Sequence, residues 1–266
     1  MSSLRFTLIQ SHLFWEDKAA NLQMLEQKIR QLTEDTHIVI LPEMFSTGFS
    51  MQPELFAETM DGNTLAWMKN LAAEMKIILT GSIMIREDAE GRPQYFNRLL
   101  WVLPNGQLGY YDKRHLFAFG AEDKHYTPGD KRFIASVNGW KINLQICYDL
   151  RFPVWARQSN PETPEYDVLI YLANWPERRI HAWKTLLAAR AIENQCYVIG
   201  VNRVGEDGKG IYHSGDSMIV NPLGEVLYHK AHDEDIFTIE LHQHELQQIR
   251  QTLPFLRDGD YFNLIS

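Results

Sequence analysis

Three residues of different chemistry stand apart from the rest of the chain. Cys147 ends an alternating run and is followed at once by a turn-forming stretch, Cys147-Tyr148-Asp149-Leu150-Arg151-Phe152-Pro153. Glu43 closes a short apolar run in Leu41-Pro42-Glu43-Met44-Phe45. Lys113 lies in Tyr110-Tyr111-Asp112-Lys113-Arg114-His115-Leu116-Phe117. A free cysteine has a pKa of about 8.5, so only a few per cent is thiolate at neutral pH. A thiol that attacks an amide therefore needs a base, and the carbonyl oxygen needs a positive partner as it becomes negative. Glu43 suits the base, which takes the thiol proton, passes it to leaving ammonia and then activates water. Lys113 suits the oxyanion partner, with the backbone N–H of Tyr148 as second donor.

Each of the three has a plainer reading. Most free cysteines are small core side chains. A carboxylate after a strand often caps a loop or pairs with an arginine, and a lone lysine is usually solvated. Other features carry less. Cys196 opens a core-like strand and reads as packing. With no CxxC spacing, the two cysteines do not form a thiolate metal site, and the pair does not look like a disulfide framework. The ten histidines lack metal-motif spacing, and His242-x-His244 sits in a polar tail. Gly205-Glu206-Asp207-Gly208-Lys209-Gly210 reads as a loop, since no GK[ST] follows it.

The elements that would position the three residues alternate between strand-like and helical patterns, as in layered α/β folds. Strands are expected at Leu4–Ile9, His37–Leu41, Ile77–Ile85, Arg98–Leu103, Val168–Ala173 and Tyr197–Val201. Leu22, Leu25, Ile29 and Leu32 recur at helical spacing, as do Leu65, Met68, Ala72 and Met75. A third helix is expected over Trp183–Asn194. Along Trp140–Tyr148, Trp140, Ile142, Leu144 and Ile146 share one face, and Lys141, Asn143, Gln145 and Cys147 share the more polar one. Late strands flank the Asn221-Pro222-Leu223-Gly224 turn, and a last one spans about Ile236–Leu241. The tail from about 242 to 266 is expected to pack on the domain or on a partner subunit.

The totals bound the function. A chain of 266 residues can bury a large core with a pocket in it. A formal net charge of −8 argues against nucleic acid as partner, because phosphate binding needs a basic surface. No apolar run approaches a membrane span, and no secretory signal opens the sequence, so no membrane partner is expected and a cytoplasmic setting is.

Glu43, Lys113 and Cys147 follow in that order, with gaps of 70 residues and then 34, each inside a longer motif. In this the chain resembles the nitrilase (carbon–nitrogen hydrolase) superfamily, and the likeness runs on through Ala188–Gln195 to Gly215-Asp216-Ser217 and Asn221–Gly224. The resemblance implies a four-layer α-β-β-α sandwich and one domain over 1–266. It implies a second glutamate near a Pro-Gly pair. Glu122 holds that place before Pro128-Gly129, with Asp123 as the adjacent alternative. An arginine at the position of Arg151 accompanies many substrates, so an internal ion pair is expected for it.

Tyr111–Phe117, Cys147–Trp155 and Ala173-Asn174-Trp175-Pro176 look most like the bacterial ω-amidase branch. That branch acts on 2-oxoglutaramate or 2-oxosuccinamate, often in methionine salvage. The implied substrate carries a remote carboxylate, so a pocket cation would help. Arg178 and Arg179 are candidates, set against a plain role as solvated loop arginines. Tyr148, Trp175 and Phe119 are candidate contacts or walls. The resemblance implies no metal, no organic cofactor and a homodimer or higher homo-oligomer. Another amidase or carbamoylase, a nitrilase, or a catalytically silent scaffold protein are the other readings.

Overall fold

A computed structural model describes residues 2–89, 91–160 and 163–264. The strands are β1 (Ser3–Gln10), β2 (Ile38–Ile40), β3 (Ile78–Ala89), β4 (Arg92–Val102), β5 (Leu108–Asp112), β6 (Ile134–Val137) and β7 (Trp140–Ile146), then β8 (Val168–Ala173), β9 (Tyr197–Asn202), β10 (Val204–Glu206), β11 (Tyr212–Val220), β12 (Val226–Ala231) and β13 (Asp235–His242). The helices are α1 (Lys18–Arg30), α2 (Pro53–Phe56), α3 (Asn63–Met75), α4 (Pro153–Ala156), α5 (Ile180–Asn194) and α6 (Gln243–Thr252).

They build two sheets. One runs β13-β1-β2-β3-β4-β5, parallel at β1–β2 and β2–β3 and antiparallel elsewhere. The other runs β10-β11-β9-β8-β7-β6, with β12 also paired to β11 and with β7, β8 and β9 parallel. Side chains alternate across a strand, so each sheet has two apolar faces to cover. The inner faces meet: Leu4, Phe6, Ile38, Ile40 and Leu99 pack against Ile142, Leu144, Ile170 and Ile199. Outside the first sheet, Leu25 and Ile29 of α1 and Leu65 and Met68 of α3 cover Val39, Leu79 and Leu100. Outside the second, Trp183, Leu187 and Ala191 of α5 cover Leu169, Tyr171 and Val198. The result is a four-layer α-β-β-α sandwich. Burial of each such leucine contributes about 1.5–3 kcal/mol.

Some expected boundaries move. The strand expected from Arg98 begins at Arg92, because the mixed residues 92–97 pair with β3 in a long hairpin. The run expected to extend through Tyr148 ends at Ile146, and Cys147–Arg151 forms a 3₁₀ turn. The alternation of β7 holds, but Asn143 and Gln145 on its polar face are fully buried. Leu32 lies beyond the end of α1.

The tail contains a helix absent from the expected elements: α6 buries Leu246 fully within an otherwise polar segment. Arg250 fixes it to this chain's own second sheet region, bonding Asp167 at 2.9 Å and the carbonyls of Tyr166 and Gln195. The tail's last two residues, 265 and 266, lie outside the described set. Among the described residues no helix is long and apolar enough to cross a membrane.

Candidate active site

The two sheets place their strand ends at one side of the sandwich, and the chemistry-bearing residues gather there. Glu43 follows β2, Lys113 follows β5, and Cys147 follows β7. Glu122 comes from a 3₁₀ turn, Glu122–Lys124. Asp123, its neighbour, is exposed, whereas Glu122, Glu43 and Lys113 are each fully buried.

The Lys113 ammonium bridges the two acids. Its Nζ is 2.8 Å from Glu43 Oε1 and 3.0 and 2.9 Å from the two Glu122 oxygens. Asn97, on β4, donates its Nδ2–H to Glu43 Oε1 at 2.8 Å and to Glu122 Oε1 at 3.2 Å. The Phe117 N–H donates to Glu122 Oε2 at 2.6 Å. The Asn174 N–H donates to Glu43 Oε2 at 2.8 Å, and its side-chain Nδ2–H donates to the Glu43 carbonyl at 2.6 Å. Lys113 Nζ also lies 5.2 Å from the centroid of the Phe49 ring. Buried charges persist when paired and hydrogen-bonded on every side, as here.

Two acids flank one lysine in this cluster. Its effect on the neighbours follows. Burial opposes the Lys113 charge, but Glu122 and Glu43 outweigh it and push the ammonium above its ordinary range. Burial and then the Glu43 charge push Glu122 up, with Lys113 acting against them. Burial first, and then Glu43, push the Cys147 thiol well up, while Lys113 pulls the other way. The sulfur therefore holds its proton at rest, with the Glu43 carboxylate as its hydrogen-bonding neighbour.

Cys147 itself sits at a sharp bend. Its φ is +42°, in the left-handed region that a residue with a Cβ enters at a cost of roughly 1–2 kcal/mol. Asp149 holds the bend. Its Oδ2 accepts from Ile146 N–H at 3.0 Å and Tyr111 O–H at 2.7 Å; its Oδ1 accepts from His115 N–H at 2.9 Å and contacts His115 Nδ1 at 2.8 Å. Tyr111 and His115 stand two residues either side of Lys113. One buried carboxylate thus ties the lysine segment to the thiol segment. The N–H of Tyr148 lies in the first turn of the 3₁₀ stretch, where helical N–H groups lack internal partners.

Cys147 opens onto a cleft of about 790 Å³, its mouth included. Phe49, Phe117, Tyr148 and Trp175 form apolar wall, and Phe119, 81% exposed, stands at the rim. Trp175 is buried against Trp183, ring centroids 5.5 Å apart. Arg178 is exposed at the rim; Arg179 is half-buried. Among the described residues Arg151 is in no internal ion pair. Its guanidinium lies 4.9 Å from the Trp175 ring centroid and lines the cleft, because the bend at Cys147 turns it outward. Lys209 also reaches the cleft, from the β10–β11 turn. That turn is folded on Asp207, whose Oδ1 accepts from the N–H groups of Lys209 and Ile211. Cys196 lies in the core beneath α5, its Sγ 4.0 Å from the Arg190 carbonyl and away from the cleft.

Asn97, Phe49 and the Asp149 strut had no role from sequence. Asn97 had one signal, an amide that with Arg98 interrupts the apolar residues Phe96 and Leu99–Val102.

Comparison with known proteins agrees with this geometry. The carbon–nitrogen hydrolase family profile matches residues 5–251. Omega-amidase YafV of Escherichia coli (strain K12) is 40% identical over 265 residues, covering 99% of this chain and 100% of that protein. A 2-oxoglutaramate amidase of Bacillus subtilis (strain 168) is 31% identical, over 94% of this chain and 95% of its own. The crystal structure of XC1258 from Xanthomonas campestris, a CN-hydrolase superfamily protein with an arsenic adduct in its active site, is 42% identical with a TM-score of 0.94, covering all of both chains. With the profile spanning most of the sequence and relatives matched end to end, this chain belongs to the carbon–nitrogen hydrolase family and is an amide-hydrolysing enzyme of the nitrilase superfamily.

Proposed function

We propose that this enzyme is an ω-amidase that hydrolyses the terminal amide of 2-oxoglutaramate or 2-oxosuccinamate to the 2-oxo dicarboxylic acid and ammonia. One observation carries the choice of substrate class. Arg151, Arg178, Arg179 and Lys209 all line the cleft at Cys147, and none has an acidic partner among the described residues. In a chain of net charge −8, four cations without ion pairs, set against the single Asp207 carboxylate in the same cleft, favour an anionic ligand. The omega-amidase and 2-oxoglutaramate amidase names of the relatives point the same way.

The chemistry follows from the cluster. Cys147 Sγ attacks the amide carbon while Glu43 takes the thiol proton, so no free thiolate is required beforehand. Lys113 and the Tyr148 N–H stabilise the oxyanion. Glu43 returns the proton to nitrogen, the C–N bond breaks, ammonia leaves, and a thioester remains. Glu43 then removes a proton from water, which attacks the thioester. The second tetrahedral species expels the sulfur, and Glu43 reprotonates it. Glu122 holds Lys113 and the substrate nitrogen in place. Phe119 and Trp175 supply apolar walls and Arg178 a cation at the rim.

The same reading has the chain act as a single domain, as a homodimer or larger homo-oligomer, in a reducing cytoplasm. Amide removal after glutamine-dependent transamination, as in methionine salvage, is the setting it implies. Exposed Ile192, Leu223 and Val226 support a self-association face, and Ile192 lies against the Gly224 turn.

The test is ammonia release from 2-oxoglutaramate by purified protein, with glutamine as control and Cys147→Ala alongside. Rapid turnover of the keto amide, little of glutamine and none by the variant is the expected result. Absence of keto-amide turnover by the wild type refutes the assignment.

A further inference from the structure

Four cations at one cleft do not contribute equally, and their surroundings separate them. Arg178 and Lys209 are exposed, so water screens them. Arg151 and Arg179 are partly withdrawn from water, and each lies over an aromatic face: Arg151 at 4.9 Å from the Trp175 centroid, Arg179 at 5.0 Å from the Phe117 centroid. Stacking orients a guanidinium and leaves its N–H edge free for an anion.

Arg179 is the more constrained of the two. Its carbonyl accepts from the Trp175 indole N–H at 2.9 Å, which pins the backbone from which the side chain springs. Phe117, the surface under its guanidinium, is itself fixed by donating its N–H to Glu122 at 2.6 Å. Arg179 is thus coupled through one residue to the acid that holds Lys113.

Its electrostatic position is unfavourable in the free enzyme. Burial, and then Arg178 and Arg151 nearby, push the Arg179 guanidinium down, and only the Cys147 and Tyr148 groups act the other way. Three guanidiniums repel one another here with no ion pair to any of them among the described residues, although Asp207 also lines the cleft; apart from Arg203, which bonds backbone carbonyls, the buried arginines are paired with acids. Arg98, for example, is bound to Asp112 at 2.6 Å. Such a cluster is relieved when an anion enters it.

We propose that Arg179 is the specificity-determining residue of this enzyme, selecting amides that carry a carboxylate remote from the scissile bond, with Arg151 sharing the anion. This rests on the proposed amidase reading and extends it, assigning the carboxylate end of the substrate to the stacked pair rather than to exposed Arg178 or Lys209. The guanidinium fork meets a carboxylate through two parallel N–H bonds, which a lysine cannot reproduce.

The experiment compares three amides on wild type, Arg179→Gln and Arg179→Lys. The amides are 2-oxoglutaramate, glutaramate (the same chain without the 2-oxo group) and neutral pentanamide. For Arg179→Gln the expected result is a KM for the carboxylate-bearing amides raised roughly 10- to 100-fold, with pentanamide kcat/KM unchanged. Arg179→Lys restores part of the loss. Equal loss on all three amides, at unchanged thermal stability, overturns the proposal, as does an unchanged KM for the carboxylate-bearing ones. The two readings fail separately. Wild type that ignores 2-oxoglutaramate but hydrolyses glutaramate, with Arg179→Gln raising that KM, overturns the assigned substrate and upholds the arginine. Wild type that hydrolyses 2-oxoglutaramate, with Arg179→Gln unaltered, upholds the substrate and overturns the arginine.

Discussion

Replacing Asp149 by asparagine tests whether the thiol bend is held by one buried carboxylate. Asparagine keeps the size and shape but has a single acceptor oxygen and an NH₂. The native carboxylate faces two backbone N–H groups, Ile146 N–H on Oδ2 and His115 N–H on Oδ1. Whichever way the amide turns, its NH₂ confronts one of them. That leaves a buried donor without an acceptor, at about 1–3 kcal/mol. The Tyr111 hydroxyl oxygen already accepts from Arg114 N–H and Trp155 Nε1–H, so it keeps donating and the asparagine oxygen stays on its side, while neutral His115 can present Nδ1 to the NH₂ as an acceptor. Their bonds lose the charge-assisted part, adding roughly 1 kcal/mol. A destabilisation of about 2–4 kcal/mol follows, measured by urea unfolding at constant m-value. The bend should also relax, since Ile146 directly precedes Cys147. Turnover should then fall at least 10-fold in kcat with KM little changed, because a displaced sulfur affects attack more than binding. A variant within about 0.5 kcal/mol of wild type with unaltered kcat would refute the strut.

Other outcomes follow from the same geometry. Glu43→Gln should reduce kcat by roughly 10²–10⁴-fold, the usual worth of a general base, while leaving a protein that still binds the keto amide in calorimetry. Because φ at Cys147 is +42°, Cys147→Gly should be at least as stable as Cys147→Ala in thermal melts, reversing glycine's normal penalty of about 0.5–1 kcal/mol. Burial and the adjacent acids raise the Cys147 thiol, so iodoacetamide inactivation should be slow at pH 7 and still rising above about pH 8.5, where a free thiol levels off. Lys113→Met, which removes the group that lowers the thiol, should slow alkylation further. The same raised thiols, Cys147 and Cys196, contribute stability that is complete below about pH 8.5 and is lost as pH rises, since the unfolded chain ionises first. Ile192→Glu should shift the protein toward monomer in light scattering if the Ile192–Leu223–Val226 patch is a contact face.

What the sequence made legible was local. Leu-Pro-Glu, Asp-Lys-Arg-His and Cys-Tyr-Asp are contiguous, and the charged residues that the structure gathers around Lys113 are those these motifs name, together with Glu122. The layers were legible too, because β1, β7, β8 and β9 carry regular apolar alternation or short buried runs. The connections between distant segments were not. Asn97 bridges two acids that lie 54 and 25 residues away, and no local pattern encodes that contact. Asp149 reaches residues 34 and 38 positions earlier. Arg151 read as structural because its motif says nothing about where the bend at Cys147 directs it. Helix α6 escaped notice because its apolar stripe is short, Leu246 and Ile249 with Leu253 just beyond, inside an otherwise polar segment that Arg250 anchors.

The pairing of β1 with β13 has a consequence during synthesis. All eight residues of β1 pair across, from Ser3 with His242 to Gln10 with Asp235. Until residues 235–242 arrive, that side of β1 is an open row of N–H and C=O groups beside Leu4, Phe6 and Leu8, a template for another chain's strand. At the ribosome's rate of about 5–20 residues per second, the edge stays exposed for roughly ten to fifty seconds. Nascent chains on one messenger lie close together over that interval. The late strand β13 thus acts as the closure that removes this edge, and association through β1 is open only to chains that have not yet made it.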